Sequence, residues 1–199
     1  SQNGKGHLLG HVCDLGLSTT DGSVRIYQTT ERQNYHTDSC DIVGLMCLRG
    51  AKSGGRSGLV SSMTIYNEML DARPDLVKLL FVPMAVDRRG EITADGRAYC
   101  EMSIFNWHDG YLSAIYAPHY VRSAQRLAGV PTLSDQQMEA LDVLDSLADN
   151  PRLNIEFSLE PGDLLFVHNH TIMHDRTAYE EWGDAARRRS LLRLWLAIP

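Results

Sequence analysis

A chain of 199 residues, 43% apolar and 22% charged, has the size and balance of one domain with a hydrophobic core rather than of a disordered segment. Its formal charge of −6 leaves no basic surplus to neutralise phosphates, which argues against nucleic acid as a partner, and no apolar run reaches the roughly 18 residues needed to span a bilayer. The opening Ser1–Gly6 lacks the apolar stretch of a secretory signal, and Cys13, Cys40, Cys47 and Cys100 show no close pairs, so buried free thiols in a cytoplasmic protein are expected.

In chain order, the first predicted strand is Val24–Gln28, followed by Asp41–Leu48 and Gly58–Ser62, each rich in β-branched or aliphatic residues. A helix pair, Met63–Ala72 and Pro74–Leu80, breaks at Pro74. Strands Tyr99–Phe105 and Tyr111–Tyr116 flank the turn signal Asp109-Gly110, and Pro118–Leu127 reads as a further helix. In Ser134–Asp149, Ser134 is placed to cap a helix whose Met138, Leu141, Leu144 and Leu147 recur near helical spacing. Leu153–Leu159, the turn Pro161-Gly162-Asp163, Asp163–His168 and Ser190–Ile198 complete the set. Many short strands with a helical insertion predict a mainly β fold with flanking helices, a cupin-like jelly roll.

Tyr35-His36-Thr37-Asp38 precedes the apolar run Ile42–Leu48. On an extended backbone, residues i and i+2 project from one face, so His36 and Asp38 offer an imidazole and a carboxylate to one point. That is two-thirds of the 2-His-1-carboxylate set that leaves positions open on Fe(II); a surface loop is the other reading of the pair. Asp163–His174 reads as a histidine-rich strand pair, with Arg189 fifteen residues beyond His174 and Arg193 four further on. An arginine in an apolar strand is costly unless an anion meets it, and a guanidinium grips a carboxylate through two hydrogen bonds. The competing reading is a solvent-facing arginine on an edge strand. His168 and His170 share strand parity with His174, so a cupin-type site in a non-catalytic metal-binding jelly roll is the rival architecture. Arg187 and Arg188 read as a solvated turn.

The stretch Arg25–Ser62 resembles the metal-binding region of the taurine dioxygenase (TauD/TfdA) family, and the late stretch from Gly162 through Arg193 to Pro199 resembles that family's C-terminal half. The resemblance implies a double-stranded β-helix in which His36, Asp38 and His174 ligate Fe(II). It also implies that Arg189 pairs with the distal carboxylate of 2-oxoglutarate and that Ser57 donates to the same co-substrate. Arg193 matches a position that reaches a substrate anion in some members and is structural in others; Asn169 matches a polar position near the iron-facing strand. The implied reaction consumes O2 and 2-oxoglutarate, releases succinate and CO2, and oxidises a C–H bond of a small organic substrate. Because Asp38 supplies the carboxylate that iron halogenases of the superfamily lack, hydroxylation is the expected outcome. Family members are longer at both ends, so 1–199 is expected to be the dioxygenase core without its terminal segments. His108, His119, Tyr35, Trp107 and Tyr116 are candidates for the pocket wall, though structural or packing roles suit each of them better. Substrate identity and any homo-oligomer are left open.

Overall fold

In the computed structural model, which describes residues 7–90 and 96–198, two four-stranded antiparallel sheets enclose the candidate site. The opening 1–6, read above as no signal sequence, lies outside the described residues. The first sheet has the order β1 (Gly10–Val12), β14 (Ser190–Leu196), β3 (Ile42–Arg49), β11 (Leu164–His168). The second runs β10 (Asn154–Phe157), β5 (Ser57–Ser61), β12 (Ile172–Arg176), β2 (Gln33–His36). Three two-stranded pieces join them: β4 (Ser53–Gly54) with β13 (Tyr179–Glu180), β6 (Met84–Asp87) with β7 (Tyr99–Met102), and β8 (Phe105–His108) with β9 (Tyr111–Ala114). The fold is the mainly β jelly roll with flanking helices that the strand pattern predicts.

Alternation along the second sheet decides what faces what. Met173, Val60 and Tyr35 point outward into the main core, against Ile65 and Met69 of α1 (Ser62–Ala72), Leu76 of α2 (Pro74–Val77), and Leu141 and Leu144 of α4 (Asp135–Ala148). Their neighbours His174, Ser57 and His36 therefore point inward, toward the first sheet. The helices thus make one face of this sheet rigid and leave the other for chemistry. Ser134 caps α4 by accepting from the Gln137 N–H at 3.2 Å, and Gln137 accepts from the Ser134 N–H at 2.9 Å, a reciprocal capping box. The remaining helix, α3 (Pro118–Ala124), packs along β6.

Some expected elements change. Val24–Gln28 is not a strand: Ile26–Gln28 forms a 3-10 turn. The Thr29 N–H donates to the Ile26 carbonyl at 3.0 Å, and the Gln28 side chain accepts from the Arg25 N–H at 3.2 Å, so local bonds capture an apolar segment. Tyr99–Phe105 splits after Met102, where Ser103 and Ile104 donate instead to the carbonyls of Phe81 and Leu80 at 2.8 and 2.9 Å. The helix after Pro74 finishes as a 3-10 turn, Lys78–Phe81. Asp109-Gly110 is the tight hairpin expected, with φ of 48° and 81°. All four cysteines are free, but only Cys47 is buried; Cys13, Cys40 and Cys100 are half-buried.

Candidate metal centre and adjoining cavities

His36 ends β2 and sits opposite His174 of β12, so one cross-strand pair supplies both imidazoles. Beyond His36 the chain leaves the sheet and is pinned by Tyr116. The Thr37 N–H donates to the Tyr116 carbonyl at 2.8 Å, and Thr37 Oγ1 accepts from the Tyr116 N–H at 2.9 Å. Asn169, almost wholly buried, holds the next residue: its Oδ1 accepts from the Asp38 N–H at 3.1 Å and its Nδ2 donates to the Cys40 carbonyl at 3.0 Å. Asp38 is thereby carried across from the second sheet to the first, where the Trp195 indole of β14 donates to its Oδ2 at 2.7 Å.

The three side chains converge, with ligand atoms all within 4.8 Å of one another. Asp38 Oδ1 lies 3.9 Å from His36 Nε2, and Asp38 Oδ2 lies 4.0 Å from His174 Nε2. His36 Nδ1 donates to the Asn34 carbonyl at 2.8 Å, which leaves the Nε2 lone pair facing the cluster, where the Gln33 amide meets it at 2.8 Å. Burial pushes the His174 imidazole down to about 3, helped by the neighbouring His36, and burial lowers His36 as well. Both rings are therefore neutral, as metal ligands must be. Burial works to raise the Asp38 carboxyl, but its imidazole neighbours His174 and His36, the Arg193 guanidinium and the Trp195 indole together hold it below its ordinary value. Two neutral imidazoles and one ionised carboxylate converging from one side form a donor set that fits Fe(II).

Two hollows meet at this cluster. An outer cleft of about 1110 Å³ lies between Ile26, Tyr27, Tyr116, His119 and several arginines. A small inner cavity runs between the sheets past Ser57, Arg176, Arg189, Leu45 and Leu191. His36, Asp38 and Arg193 line both, so the candidate metal position is where an outer molecule and an inner one would touch.

The sequence model described as "Taurine catabolism dioxygenase TauD, TfdA family" matches residues 2–195. The chain belongs to this family. FR-33289 synthase of Streptomyces rubellomurinus is 35% identical over 205 residues, covering 100% of this chain and 59% of that protein. A uridine-5'-phosphate dioxygenase of Amycolatopsis sp is 30% identical over 180 residues, 84% of this chain and 62% of that protein. Among solved structures, asparagine oxygenase in complex with Fe(II), 2S,3S-3-hydroxyasparagine and succinate superposes with a TM-score of 0.72 at 17% identity, over 96% of this chain and 56% of that one. The chain thus spans somewhat over half the length of the TauD/TfdA relatives it matches.

In this TauD/TfdA-family chain, Ser57, Arg189 and Arg193 do gather beside His36, Asp38 and His174. Arg189 precedes β14 rather than lying in it, buried with its guanidinium 5.1 Å from the Tyr179 ring centre. Arg193 lies within β14, its guanidinium 4.8 and 4.3 Å from the ring centres of Tyr27 and Trp195 and 3.7 Å from Asp38. Its place is between the sheets and not on a solvent face. His168 and His170 stay out of the cluster: His168 is exposed and bonded to Thr171 at 3.0 Å, and His170 meets Asp41 at 2.8 Å. Among the described residues, His36, Asp38 and His174 form the sole three-member group able to hold a metal, so the cupin-type alternative is not formed. Of the pocket-wall candidates, Tyr116 and His119 line the outer cleft, Tyr35 belongs to the core, and Trp107 and His108 are exposed.

Proposed function

We propose that this chain is the core of an Fe(II)- and 2-oxoglutarate-dependent dioxygenase that hydroxylates a C–H bond of a small anionic substrate. The observation that carries the proposal is the junction itself: a His, Asp, His set in an inner cavity with a cationic end, two members of which, His36 and Asp38, also line the outer cleft. His36, Asp38 and His174 would hold the iron. Ser57 and Arg189 would hold the distal carboxylate of 2-oxoglutarate, and Arg193 would face the substrate. When bound, the iron and co-substrate supply the oxidising chemistry with O2, releasing succinate and CO2.

The chain's own residues do the rest. The Asn34 carbonyl, Asn169 and Trp195 orient His36 and Asp38, so three ligands sit on one side and the opposite side stays open. The inner cavity is small, about 40 Å³, so little water reaches it, which strengthens each charged contact made there. Of the arginines that line the outer cleft, Arg32 and Arg122 are already paired with Asp149, Asp175, Asp142 and Asp145, while Arg193 stands beside the candidate metal position, where its cation favours an anionic group on the substrate. A relative acting on uridine-5'-phosphate is consistent with that charge.

Anaerobic addition of Fe(II) and 2-oxoglutarate tests the assignment through the weak visible charge-transfer band of the chelate. The band is expected in the wild-type protein and absent in Asp38→Ala. Its absence from folded wild-type protein, with no succinate formed in air, would favour a non-catalytic jelly roll.

A further inference from the structure

Arg176 has no part in the assignments above, yet it is among the least comfortable groups in the molecule. It ends β12 two residues after His174, and β-strand parity turns both side chains to the inner face. Its cross-strand partner is Ser57, so these two flank the same end of the inner cavity. The residue is 5% exposed, as is Arg189. One nitrogen, Nη2, donates to the Glu31 carbonyl, while Nε and Nη1 are buried without a hydrogen-bond partner. Arg189 Nη1 is in the same condition. Both guanidiniums lie near the Tyr179 ring, at 4.8 Å for Arg176 and 5.1 Å for Arg189, so one aromatic residue gathers two buried cations.

Neither cation has a carboxylate within ion-pair distance among the described residues. Asp175, the nearest acid in sequence, turns to the other face and pairs with Arg32 at 3.1 Å. Glu181 accepts from the Arg189 backbone N–H at 2.9 Å rather than from its guanidinium. Two adjacent buried cations with three unpartnered guanidinium nitrogens are costly unless an anion sits between them. A single arginine would suffice to balance one carboxylate; the second cation and its two free donors indicate that the end of this cavity is built for more hydrogen bonds than one guanidinium offers.

Resting on the co-substrate reading above, we propose that Arg176 and Arg189 form a two-guanidinium clamp, with Ser57 between the strands, for the distal carboxylate of the 2-oxo acid. Arg176 is then a specificity residue: it selects a dicarboxylate over a 2-oxo monocarboxylate of similar reactivity. Its contribution falls on the far end of the co-substrate and not on the metal.

The experiment compares binding of 2-oxoglutarate and of pyruvate, which keeps the 2-oxo acid end but lacks the distal carboxylate. Binding to the Co(II)-loaded protein is followed by calorimetry, which needs no turnover. Arg176→Met is expected to weaken 2-oxoglutarate by roughly 10- to 100-fold, the value of one or two charge-assisted bonds, with pyruvate and Co(II) affinity unchanged. Arg176→Lys keeps the charge but loses the fork, and is expected to fall between Met and wild type. It also serves where the Met variant does not fold. A loss shared equally by 2-oxoglutarate and pyruvate, or by Co(II), would show that Arg176 merely supports the strand. Unchanged 2-oxoglutarate binding in either folded variant would refute the clamp while leaving the dioxygenase assignment standing. Wild-type protein that binds Co(II) but discriminates against neither acid would overturn both.

Discussion

Trp195→Phe isolates the contribution of a residue that never touches the metal. The indole N–H donates to Asp38 Oδ2 at 2.7 Å, and the Asp38 side chain is 11% exposed, so little water is present to replace the bond. A charge-assisted hydrogen bond in such a setting contributes about 1.5–3 kcal/mol. Phenylalanine keeps an aromatic face for the Arg193 guanidinium, which lies 4.3 Å from the Trp195 ring centre, so the packing change is small. What changes is the freedom of the carboxylate. Arg193 lies 3.7 Å from the same Oδ2, and a released Asp38 can close that gap and form a tighter ion pair. A metal must then break that pair before it gains its carboxylate ligand. If most of the indole's contribution falls on orientation, metal affinity drops by about 10- to 100-fold. Anaerobic titration of metal-free protein with Fe(II) or Co(II) measures this, with the denaturant midpoint recorded beside it to confirm the fold. An unchanged metal Kd in a folded Trp195→Phe protein would show that the Asp38 backbone, held by Asn169, orients the carboxylate by itself.

Three further outcomes follow from the same geometry. Asp38→Ala removes the sole charged ligand of the set, and the visible band and 2-oxoglutarate turnover are expected to vanish together in an otherwise folded protein; a surviving band would place the metal elsewhere. In metal-free protein, His36 and His174 are buried with lowered pKa values, His174 at about 3, whereas the unfolded chain protonates histidine near 6.5. Between those values the unfolded state binds more protons, so stability is full above about pH 6.5 and declines as pH falls toward 3. Denaturant midpoints measured from pH 7.5 to 4.5 should show the decline, shallower in His174→Gln; a flat profile would contradict the buried, neutral histidines. At Gly58 an added Cβ would lie 2.3 Å from the Tyr35 hydroxyl and 2.4 Å from Asp175 Oδ1. Gly58→Ala is therefore expected to cost about 1–3 kcal/mol through overpacking and to lower Tm, while a neutral result would mean that Tyr35 and Asp175 move aside freely.

What was legible in the sequence was legible for reasons of period. The alternation in β12 points His174 inward while Met173 enters the core, whereas His36 and Asp38 converge although β2 ends at His36, because Tyr116 and Asn169 pin the chain beyond it. The helix from Ser134 declared both its cap and its apolar stripe, and α4 buries Leu141 and Leu144 as that stripe requires. Elements shorter than about one turn of pattern were not legible: β1 exists because the long strand β14 recruits it, and β13 pairs with the equally short β4. Val24–Gln28 has strand composition, but the Gln28 side chain offers its own backbone a local partner first. Asn169 and Trp195 could not be assigned from sequence because their partner, Asp38, is more than a hundred residues away along the chain.

Arg176 is the instructive omission. Strand parity joins His174 to Arg176 within β12, so its inward direction was available from the sequence. Its meaning was not, because a charged residue at a strand end is ordinarily taken to reach solvent. Burial reverses that expectation. Desolvation, followed by the neighbouring charge of Arg189, lowers the Arg176 guanidinium to about 10, and desolvation lowers Arg189 too, yet both remain cationic at neutral pH. The strand pairing that sets His36 beside His174 also sets Arg176 beside Ser57. The proposed metal ligands and the cationic cavity end are therefore two rows of one ladder, and a slip of one residue in the register of β12 would turn both His174 and Arg176 away from the site together.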